Sequence, residues 1–483
     1  MTVPGFPAVP ADLFVGGVWQ PASDGATFDV DDPATGEPLA TVASASPEDA
    51  LAAVAAAHEA FPSWAVTAPR ERAEVLRRAF ELMRDEREEL ARLIVLENGK
   101  SLKDAMGEAA YAAEFLRWFG EEAVRIDGGL MTSPSGQHRI IAMRQPVGVS
   151  VLVTPWNFPA AMATRKIGPA LAAGCSVILK PASYTPLTAL ALADVLRRAG
   201  VPDGVVNVVP ARRSGEVVDA MLGDPRVRKL SFTGSTEVGS LLLERAARNV
   251  INCSMELGGN APFVVFADAD LDAAVEGAMV AKMRNGGASC IAANRFLVQA
   301  PITDEFSRRL GEAMGALIMG SGLEDATDLG PLVSRGERDD VAAAVAVAVD
   351  GGAKVLAGGI VPDTPGWYYP ATVLANVGHD NGILDREVFG PVAPVVAFET
   401  QDEAVTLAND TPFGLAAYVY TGDLARGLAV SEAIEAGMVG LNRGFISDPA
   451  APFGGVKQSG LGREGGHDGL LEFCETKYIA TDW

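Results

Sequence analysis

The sequence is poor in cysteine and histidine, and it contains no long apolar run. Four cysteines in 483 residues, without a Cys-x-x-Cys pair, exclude a disulfide framework. The four histidines show no zinc-binding spacing, so no metal site is predicted. No apolar run approaches the roughly 18 residues that cross a membrane. No lysine or arginine precedes Arg70, which argues against a secretory or mitochondrial leader, and we therefore expect a cytoplasmic protein.

Positive charge is also scarce, because 62 acidic residues face 39 basic ones and the net charge is −23. This excess disfavours nucleic acid and anionic membranes as partners. The chain is 48% hydrophobic and 21% charged, which is typical of globular proteins and excludes a disordered chain. At roughly 150 residues per domain, its length predicts two or three domains.

Short apolar segments alternate with helical patterns from about residue 147 onward, which predicts an α/β fold with parallel, doubly wound sheets. Before that point the pattern predicts short strands and then helices, the first of them capped by Ser46 and a later one spanning 70–97. A terminal strand at 470–483 is expected to form a small separate sheet with 137–143. The strands of the two alternating regions are predicted at 147–154, 176–180, 205–209, 229–233 and 251–256, and at 263–266, 296–298, 395–398 and 417–420.

Three side chains with chemical potential lie where regular elements give way to loops. Cys290 lies on a glycine-rich loop whose backbone N–H groups can bind a developing oxyanion, although a lone cysteine is more often buried and inert. Glu256 precedes a glycine turn and suits either a general base or a cap of nearby N–H groups. Asn157, held between two prolines, suits either an oxyanion donor or a helix N-cap.

A possible nucleotide site is indicated by residues 234–239 (GSTEVG), which follow a predicted strand and open a helix. The helix N-terminus suits a phosphate group, but the spacing is neither GxGxxG nor a P-loop. Lys180 ends another strand and fits either a nucleotide contact or a solvated side chain. These two signals are weak when taken alone.

A set of motifs in fixed order resembles the aldehyde dehydrogenase superfamily over nearly the whole chain. The intervals are also similar to those of the family, with 34 residues from Glu256 to Cys290 and 133 from Asn157 to Cys290. The motifs are 155–159 (PWNFP), 180–183 (KPAS), 232–235 (FTGS), 256–259 (ELGG), Cys290, 387–391 (EVFGP) and 452–460 (PFGGVKQSG).

The resemblance implies a Rossmann-type dinucleotide-binding domain, an α/β catalytic domain and a small β oligomerisation element. The first would comprise 1–123 and 147–258, the second 259–458, and the third 124–146 and 459–483. The resemblance further implies a homodimer or homotetramer.

The resemblance implies a chemistry for the three side chains. Cys290 would attack an aldehyde, and the Asn157 amide with the Cys290 N–H would stabilise the thiohemiacetal oxyanion. After hydride transfer to a nicotinamide, Glu256 would activate the water that hydrolyses the thioester to a carboxylic acid. Family members that use coenzyme A differ at the position of Glu256, so hydrolysis is expected.

The implied cofactor is NADP or NAD. Lys180 would contact the adenosine ribose and Glu387 the nicotinamide ribose. Many NAD-preferring members carry glutamate at position 183, whereas Ser183 does not repel a 2′-phosphate, so NADP is permitted and NAD is not excluded. The implied cofactor-binding residues are Trp156, Lys180, Ser183, Gly234, Ser235, Leu257 and Glu387.

Within the superfamily the sequence resembles succinate-semialdehyde dehydrogenases, in 157–166 (NFPAAMATRK) and 458–465 (QSGLGREG) among other stretches. This resemblance implies that Arg165, Arg284 and Ser447 bind the distal carboxylate of the substrate, which a guanidinium fork suits. Structural roles stay open, since Arg165 is compatible with an ion pair to a neighbouring helix and Arg284 with a helix C-terminus.

Other substrates and functions are also compatible with these residues. The substrate is alternatively glutarate semialdehyde or a hydroxy- or aromatic aldehyde. A cofactor-independent thiol hydrolase would use the same Cys290, Glu256 and Asn157, and a non-catalytic protein on this fold is a further alternative.

Overall fold

A computed structural model describes residues 9–482 of the chain. Its strands, in chain order, are β1 Leu13–Val15, β2 Val18–Gln20, β3 Thr27–Asp32, β4 Glu37–Ala43, β5 Gly129–Thr132, β6 Arg139–Pro146, β7 Val149–Val153, β8 Val177–Lys180, β9 Val206–Val208, β10 Val227–Thr233, β11 Asn252–Glu256, β12 Ala261–Val265, β13 Ala293–Gln299, β14 Lys354–Ala357, β15 Thr372–Ala375, β16 Val392–Phe398, β17 Ala416–Tyr420, β18 Met438–Leu441, β19 Gly460–Leu461 and β20 Cys474–Thr481.

The helices surround these strands. They are α1 Pro47–Ala65, α2 Pro69–Asp85, α3 Arg87–Asn98, α4 Leu102–Glu122, α5 Pro159–Ala173, α6 Pro186–Arg198, α7 Ser214–Gly223, α8 Thr236–Ala247, α9 Leu271–Met283, α10 Thr303–Gly315, α11 Arg335–Asp350, α12 Gln401–Asn409, α13 Leu424–Ala433 and α14 Gly466–Leu471. Among residues 9–482, none of these helices has both the length and the apolarity needed to cross a bilayer.

The first large sheet has eight strands in the order β19-β11-β10-β7-β8-β9-β1-β2. Its five central strands are parallel, as the sequence predicts, and antiparallel strands flank them. The register aligns their carboxyl ends, since Val153 pairs with Lys180 and Thr233 pairs with Glu256. Ligands bind at this edge in open parallel sheets, so the loops after β7, β10 and β11 are placed for a shared site.

The second large sheet has seven strands in the order β14-β15-β16-β13-β12-β17-β18 and is parallel except at β14. The four predicted strands of this region correspond to β12, β13, β16 and β17. An aromatic cluster packs on one face, with the ring centroids of Phe263 and Tyr420 4.9 Å apart. The large sheets therefore confirm the predicted α/β fold, while the exact domain boundaries stay a prediction.

A small antiparallel sheet, β20-β6-β5, lies apart from both, and β20 pairs with β6 from Cys474 opposite Pro146 to Thr481 opposite Arg139. The predicted terminal strand 470–483 is wrong at its start, because residues 466–471 form α14 and bury Leu470 completely. In addition, β19 pairs with β11, so part of the segment 459–483 belongs to the eight-stranded sheet.

The N-terminal helices follow the sequence signals with one exception. Ser46 caps α1, and the Asp49 carboxylate in turn accepts the Ser46 N–H, which forms a capping box. The helix predicted over 70–97 is two helices, separated at Glu86. Both helices pack on α4 and also contact α6. Gly99 ends α3 at φ 94°, the left-handed conformation that favours glycine.

Candidate active site

Loops at the carboxyl ends of the first large sheet face segments that precede β13 and β16 of the second, and together they line an open cleft of about 890 Å³. The loops after β7, β10 and β11 supply one wall, and segments 284–291 and 387–389 supply much of the other. Ten residues singled out from the sequence line this single cleft: Trp156, Asn157, Arg165, Gly234, Ser235, Leu257, Arg284, Cys290, Glu387 and Ser447.

Cys290 is presented by a tight backbone turn between α9 and β13. Asn285 and Gly287 both have positive φ angles, 55° and 81°. A Cβ on Gly287 would lie 2.2 Å from the Gly390 carbonyl oxygen, so only glycine lets the turn approach that close. Burial, together with the nearby charge of Glu256, raises the pKa of the Cys290 thiol to about 12. The resting side chain is therefore a thiol, and its attack on a substrate needs a proton acceptor.

Asn157 follows β7 and lies beside the loop that carries Cys290. Its Nδ2 donates to the Ala288 carbonyl oxygen at 3.1 Å. Its Oδ1 is buried without a partner among the described residues. Asn157 is not the N-cap of α5, because Phe158 occupies that position. The side-chain amide is thus available beside the cysteine, which favours the oxyanion interpretation over the capping one.

Glu256 is the last residue of β11 and is 3% exposed. Neither carboxylate oxygen has a hydrogen-bond partner among the described residues, so it caps no N–H group there. Burial raises its pKa well above the ordinary value, and the charge of Glu464 adds to that shift. A buried carboxyl with a raised pKa is suited to general base chemistry. Glu256 lies just behind the cleft wall that Leu257 and Gly258 form.

Two arginines converge on one end of the cleft. The Arg165 guanidinium donates to the Tyr111 hydroxyl at 2.6 Å and to the Ser447 hydroxyl at 3.3 Å. Its carboxylate neighbour is Glu464, at 3.6 Å, so the ion pair considered from the sequence exists in a loose form. Its Nε atom is buried without a partner among residues 9–482.

Arg284, like Arg165, is surrounded by aromatic rings, but it differs from Arg165 in having no ion-pair partner among the described residues. Its guanidinium carbon lies 4.7 Å from the Phe445 ring, 4.9 Å from Phe158 and 5.4 Å from Tyr111. No carboxylate of the described residues lies within 4 Å of it. A guanidinium held this way keeps its in-plane donors free for an anion.

The residues expected to bind the nicotinamide end of a dinucleotide lie on the opposite side. Glu387 accepts the Gly259 N–H at 3.1 Å, and burial raises its pKa to about 8. Gly234 and Ser235 precede α8, where Ser235 is the N-cap. The Thr233 hydroxyl is buried without a partner among the described residues. Trp156 packs edge-on against Phe389, with centroids 5.4 Å apart. A helix N-terminus, a largely buried carboxyl group and an unsatisfied hydroxyl together fit a nicotinamide dinucleotide.

Two predicted cofactor residues, Lys180 and Ser183, do not line this cleft. Lys180 is buried rather than solvated, its Nζ bonds to the Ser214 hydroxyl, and burial lowers its pKa to about 8. Ser183 lines a second cavity, together with Arg212 and Trp367. This second cavity adjoins the same edge of the sheet, since Ser183 follows β8.

Sequence reasoning missed Tyr111, Phe158, Glu337 and Phe453, all of which line the cleft. Tyr111 projects from α4, far in sequence from the motifs, and only its helix position relative to Arg165 brings it into the site. No motif in the sequence marks it.

Comparison with known proteins agrees with this geometry. The family model described as "Aldehyde dehydrogenase family" matches residues 19–479. The chain belongs to the aldehyde dehydrogenase family.

Several of the most similar members of the aldehyde dehydrogenase family are named for the substrate that they oxidise. The chain is 56% identical over 441 residues to a succinate-semialdehyde dehydrogenase of Paenarthrobacter nicotinovorans, covering 91% of this chain and 98% of that protein. It is 48% identical over 466 residues to a glutarate-semialdehyde dehydrogenase of Pseudomonas aeruginosa, covering 96% of each. The crystal structure of an NADP-dependent enzyme of Escherichia coli matches with a TM-score of 0.96 and 46% identity over 98% of both chains.

Proposed function

We propose that this aldehyde dehydrogenase oxidises succinate semialdehyde to succinate, with NADP or NAD as hydride acceptor. The observation that carries the proposal is the pair of arginines near Cys290, one held by hydroxyl groups and the other by aromatic rings. A four-carbon aldehyde with a distal carboxylate would extend from the thiol to these guanidinium groups. The 56% identical succinate-semialdehyde dehydrogenase supports this choice of substrate.

Cys290 would attack the aldehyde carbonyl carbon and form a thiohemiacetal. Its thiol proton must leave, and the unpartnered Glu256 carboxylate is the candidate acceptor. The oxygen of the former carbonyl would accept hydrogen bonds from the free N–H of the Asn157 amide and from the Cys290 backbone. These two N–H donors would stabilise the negative charge on the former carbonyl oxygen as the thiohemiacetal forms.

Residues from both walls of the cleft would hold the cofactor. Glu387 would bind the nicotinamide ribose, and Gly234 with Ser235 would approach the phosphates at the start of α8. When bound, a nicotinamide dinucleotide supplies the hydride acceptor that turns the thiohemiacetal into a thioester. Lys180 and Ser183 would contact the adenosine ribose, and Ser183 accepts either a hydroxyl or a 2′-phosphate there.

Hydrolysis would complete the reaction. Glu256 would first release the thiol proton to solvent. It would then take a proton from water as that water attacks the thioester, and would pass this proton to the departing Cys290 sulfur, which releases the carboxylic acid and returns the thiol. The overall reaction balances as aldehyde, oxidised dinucleotide and water giving acid, reduced dinucleotide and a proton. The buried, raised-pKa carboxyl of Glu256 suits both proton transfers.

Glutarate semialdehyde is the second candidate substrate, because a relative of that name is 48% identical over 96% of each chain. It carries one more methylene and the same distal carboxylate. The two arginines serve either substrate, so the distance from Cys290 to the guanidinium groups decides between them.

The test measures initial rates of dinucleotide reduction with succinate semialdehyde, glutarate semialdehyde and a neutral aldehyde, each with NAD and NADP. We expect the highest kcat/KM with succinate semialdehyde. Arg284→Gln should lower that value by about two orders of magnitude, because a charged bidentate contact is lost, and should leave the neutral aldehyde unaffected. Higher kcat/KM with the neutral aldehyde would refute the substrate proposal and leave the dehydrogenase chemistry intact.

A further inference from the structure

We propose that Lys100 is a positioning residue for Asn157, whose buried ammonium group fixes the Asn157 carbonyl and thereby aims the side-chain amide at Cys290. The inference rests on the proposed oxyanion role of Asn157. It concerns a lysine that does not line the cleft and lies in none of the motifs named above.

Lys100 is buried between α3 and α4, with its side chain 1% exposed. Its Nζ donates to the Asn157 backbone carbonyl oxygen at 2.7 Å and to Glu108 Oε2 at 2.5 Å. The ammonium also lies 4.3 Å from the centre of the Phe158 ring. A buried cation with this many contacts has little freedom, so it fixes the atoms that it contacts.

Glu108 extends the same clamp to the next helix. Its Oε1 accepts the N–H of Ala160 at 2.8 Å and the N–H of Ala161 at 3.3 Å, in the first turn of α5. Because Phe158 provides no side-chain cap, the Glu108 carboxylate takes that role from α4. The ion pair therefore holds Asn157 by its backbone carbonyl and also holds the first turn of α5 that directly follows it.

A second donor joins the Asn157 carbonyl to the loop of the nucleophile. Asn285 Nδ2 donates to the Asn157 carbonyl at 2.8 Å and to the Ala288 carbonyl at 2.9 Å. The Asn157 amide itself donates to Ala288 at 3.1 Å. Lys100 and Asn285 thus share one acceptor, and the position of Asn157 relative to Cys290 depends on both.

The amide arrangement leaves one N–H of Asn157 for the substrate. An amide nitrogen carries two hydrogens, and one already points to Ala288. The direction of the other is set by the backbone of Asn157, which the Lys100 ammonium holds. Oxyanion donors act through their fixed direction, so a small displacement is costly. Loss of Lys100 should therefore reduce turnover through Asn157 rather than through substrate binding.

A double-mutant cycle distinguishes this role from a contribution to folding alone. The variants are Lys100→Met, Asn157→Ala and the two combined, with rates normalised to the Cys290 thiols that react with an alkylating agent. We expect Lys100→Met to lower kcat by about 10- to 100-fold in the wild-type background and by less than about twofold when Asn157 is already alanine. The KM for the dinucleotide should stay within about twofold. An equal loss in both backgrounds would overturn the proposal.

Lys229→Met is the matched control, because Lys229 is also fully buried and bonds to Asn252, Ser254 and Glu472 in the first sheet. It should lower the unfolding temperature without a dependence on Asn157. If Lys100→Met does not fold, Glu108→Gln weakens the same clamp, and the cycle with Asn157→Ala has the same two outcomes.

Hydrolysis of an aryl acetate provides a readout that needs no dinucleotide, because its tetrahedral oxyanion would form on the same Cys290. The cycle is measured with this ester and with whichever aldehyde the wild type prefers. A different preferred aldehyde would overturn only the substrate proposal. Additive losses with the ester would overturn only the role of Lys100.

Discussion

Burial sets the protonation of the two side chains that would exchange protons in the cleft. It raises the pKa of Cys290 to about 12 and raises the pKa of Glu256 well above the ordinary value. Each group is therefore protonated at a pH where an exposed counterpart would already be ionised. The form that reacts, thiolate or carboxylate, increases as the pH rises.

Turnover should accordingly increase with pH. Because a raised pKa keeps Glu256 protonated at low pH, kcat should fall by about tenfold for each pH unit below that pKa. Glu256→Gln should lower kcat strongly at every pH and remove this rise. Measuring kcat of both proteins at several pH values tests the prediction. Returning each sample to the starting pH controls for irreversible loss of activity. A flat wild-type profile would contradict the role of Glu256.

The hydroxyl of Tyr111 should matter for anionic substrates alone. Tyr111→Phe removes the acceptor of Arg165 and the partner of Ser447, so Arg165 loses a contact that orients it. We expect the KM for succinate semialdehyde to rise by about tenfold. The control substrate is a neutral aldehyde, whose KM should stay unchanged. An equal rise in KM for both substrates would argue against a role of Tyr111 in orienting Arg165.

The sequence predicts the residues that motifs carry and misses those that the fold brings in from elsewhere. Cys290, Asn157 and Glu387 lie in recognisable stretches, and all three line the cleft. Tyr111 lies on α4 and Lys100 lies in the short link between α3 and α4, and no sequence motif distinguishes either residue. Only the packing of α4 against α5 shows what they contact.

At the scale of elements, continuous apolar strands were the most predictable feature. The strands at the centre of both sheets agree with the sequence closely. β14 was missed because its residues are largely exposed, and β18 because it is short and contains glycine. The break at Glu86 was missed because polar residues surround it and the apolar spacing continues through it.

Glu97 connects two of these elements, and its removal should destabilise both. At the end of α3 it accepts the N–H of Leu187 at 2.7 Å and of Thr188 at 2.9 Å, while α6 has no side-chain cap of its own. Glu97→Ala should cost about 1–3 kcal/mol and lower the unfolding temperature. Glu89→Ala, an exposed change on the same helix, should have no measurable effect, and similar shifts for both would refute the capping role.

The same carboxyl also makes stability depend on pH. Burial raises the pKa of Glu97 to about 8 from an ordinary 4.5, so the folded state keeps a proton that the unfolded state has lost. Its contribution to stability is fully present below 4.5 and declines as the pH rises towards 8. The difference in unfolding temperature between wild type and Glu97→Ala should therefore be larger at pH 5 than at pH 8. Scanning calorimetry at both values checks the sign, and a larger difference at pH 8 would contradict it.

At the scale of the molecule, the small sheet is the part whose surface least resembles that of a monomer. Leu130 is 64% exposed, Met131 57% and Tyr478 56%, on strands that lie away from both large sheets. Strands β5 and β20 are its edges within residues 9–482. Clustered apolar side chains and open strand edges are typical of a surface that a second chain covers.

We therefore predict a homodimer or homotetramer in which this small sheet contributes the interface. Light scattering should give two or four times the chain mass of 50.3 kDa. Leu130→Lys combined with Ile479→Lys should reduce it towards a single chain, because two buried charges would face each other across the contact. Val66→Lys, at an 83% exposed position after α1, is the matched control and should keep the wild-type mass. A wild-type mass near that of one chain would exclude the interface. A double variant that keeps the full mass would place the interface elsewhere.

Since every residue named in the cleft belongs to one chain, the double variant should still bind dinucleotide. This result would separate assembly from the chemistry of the site.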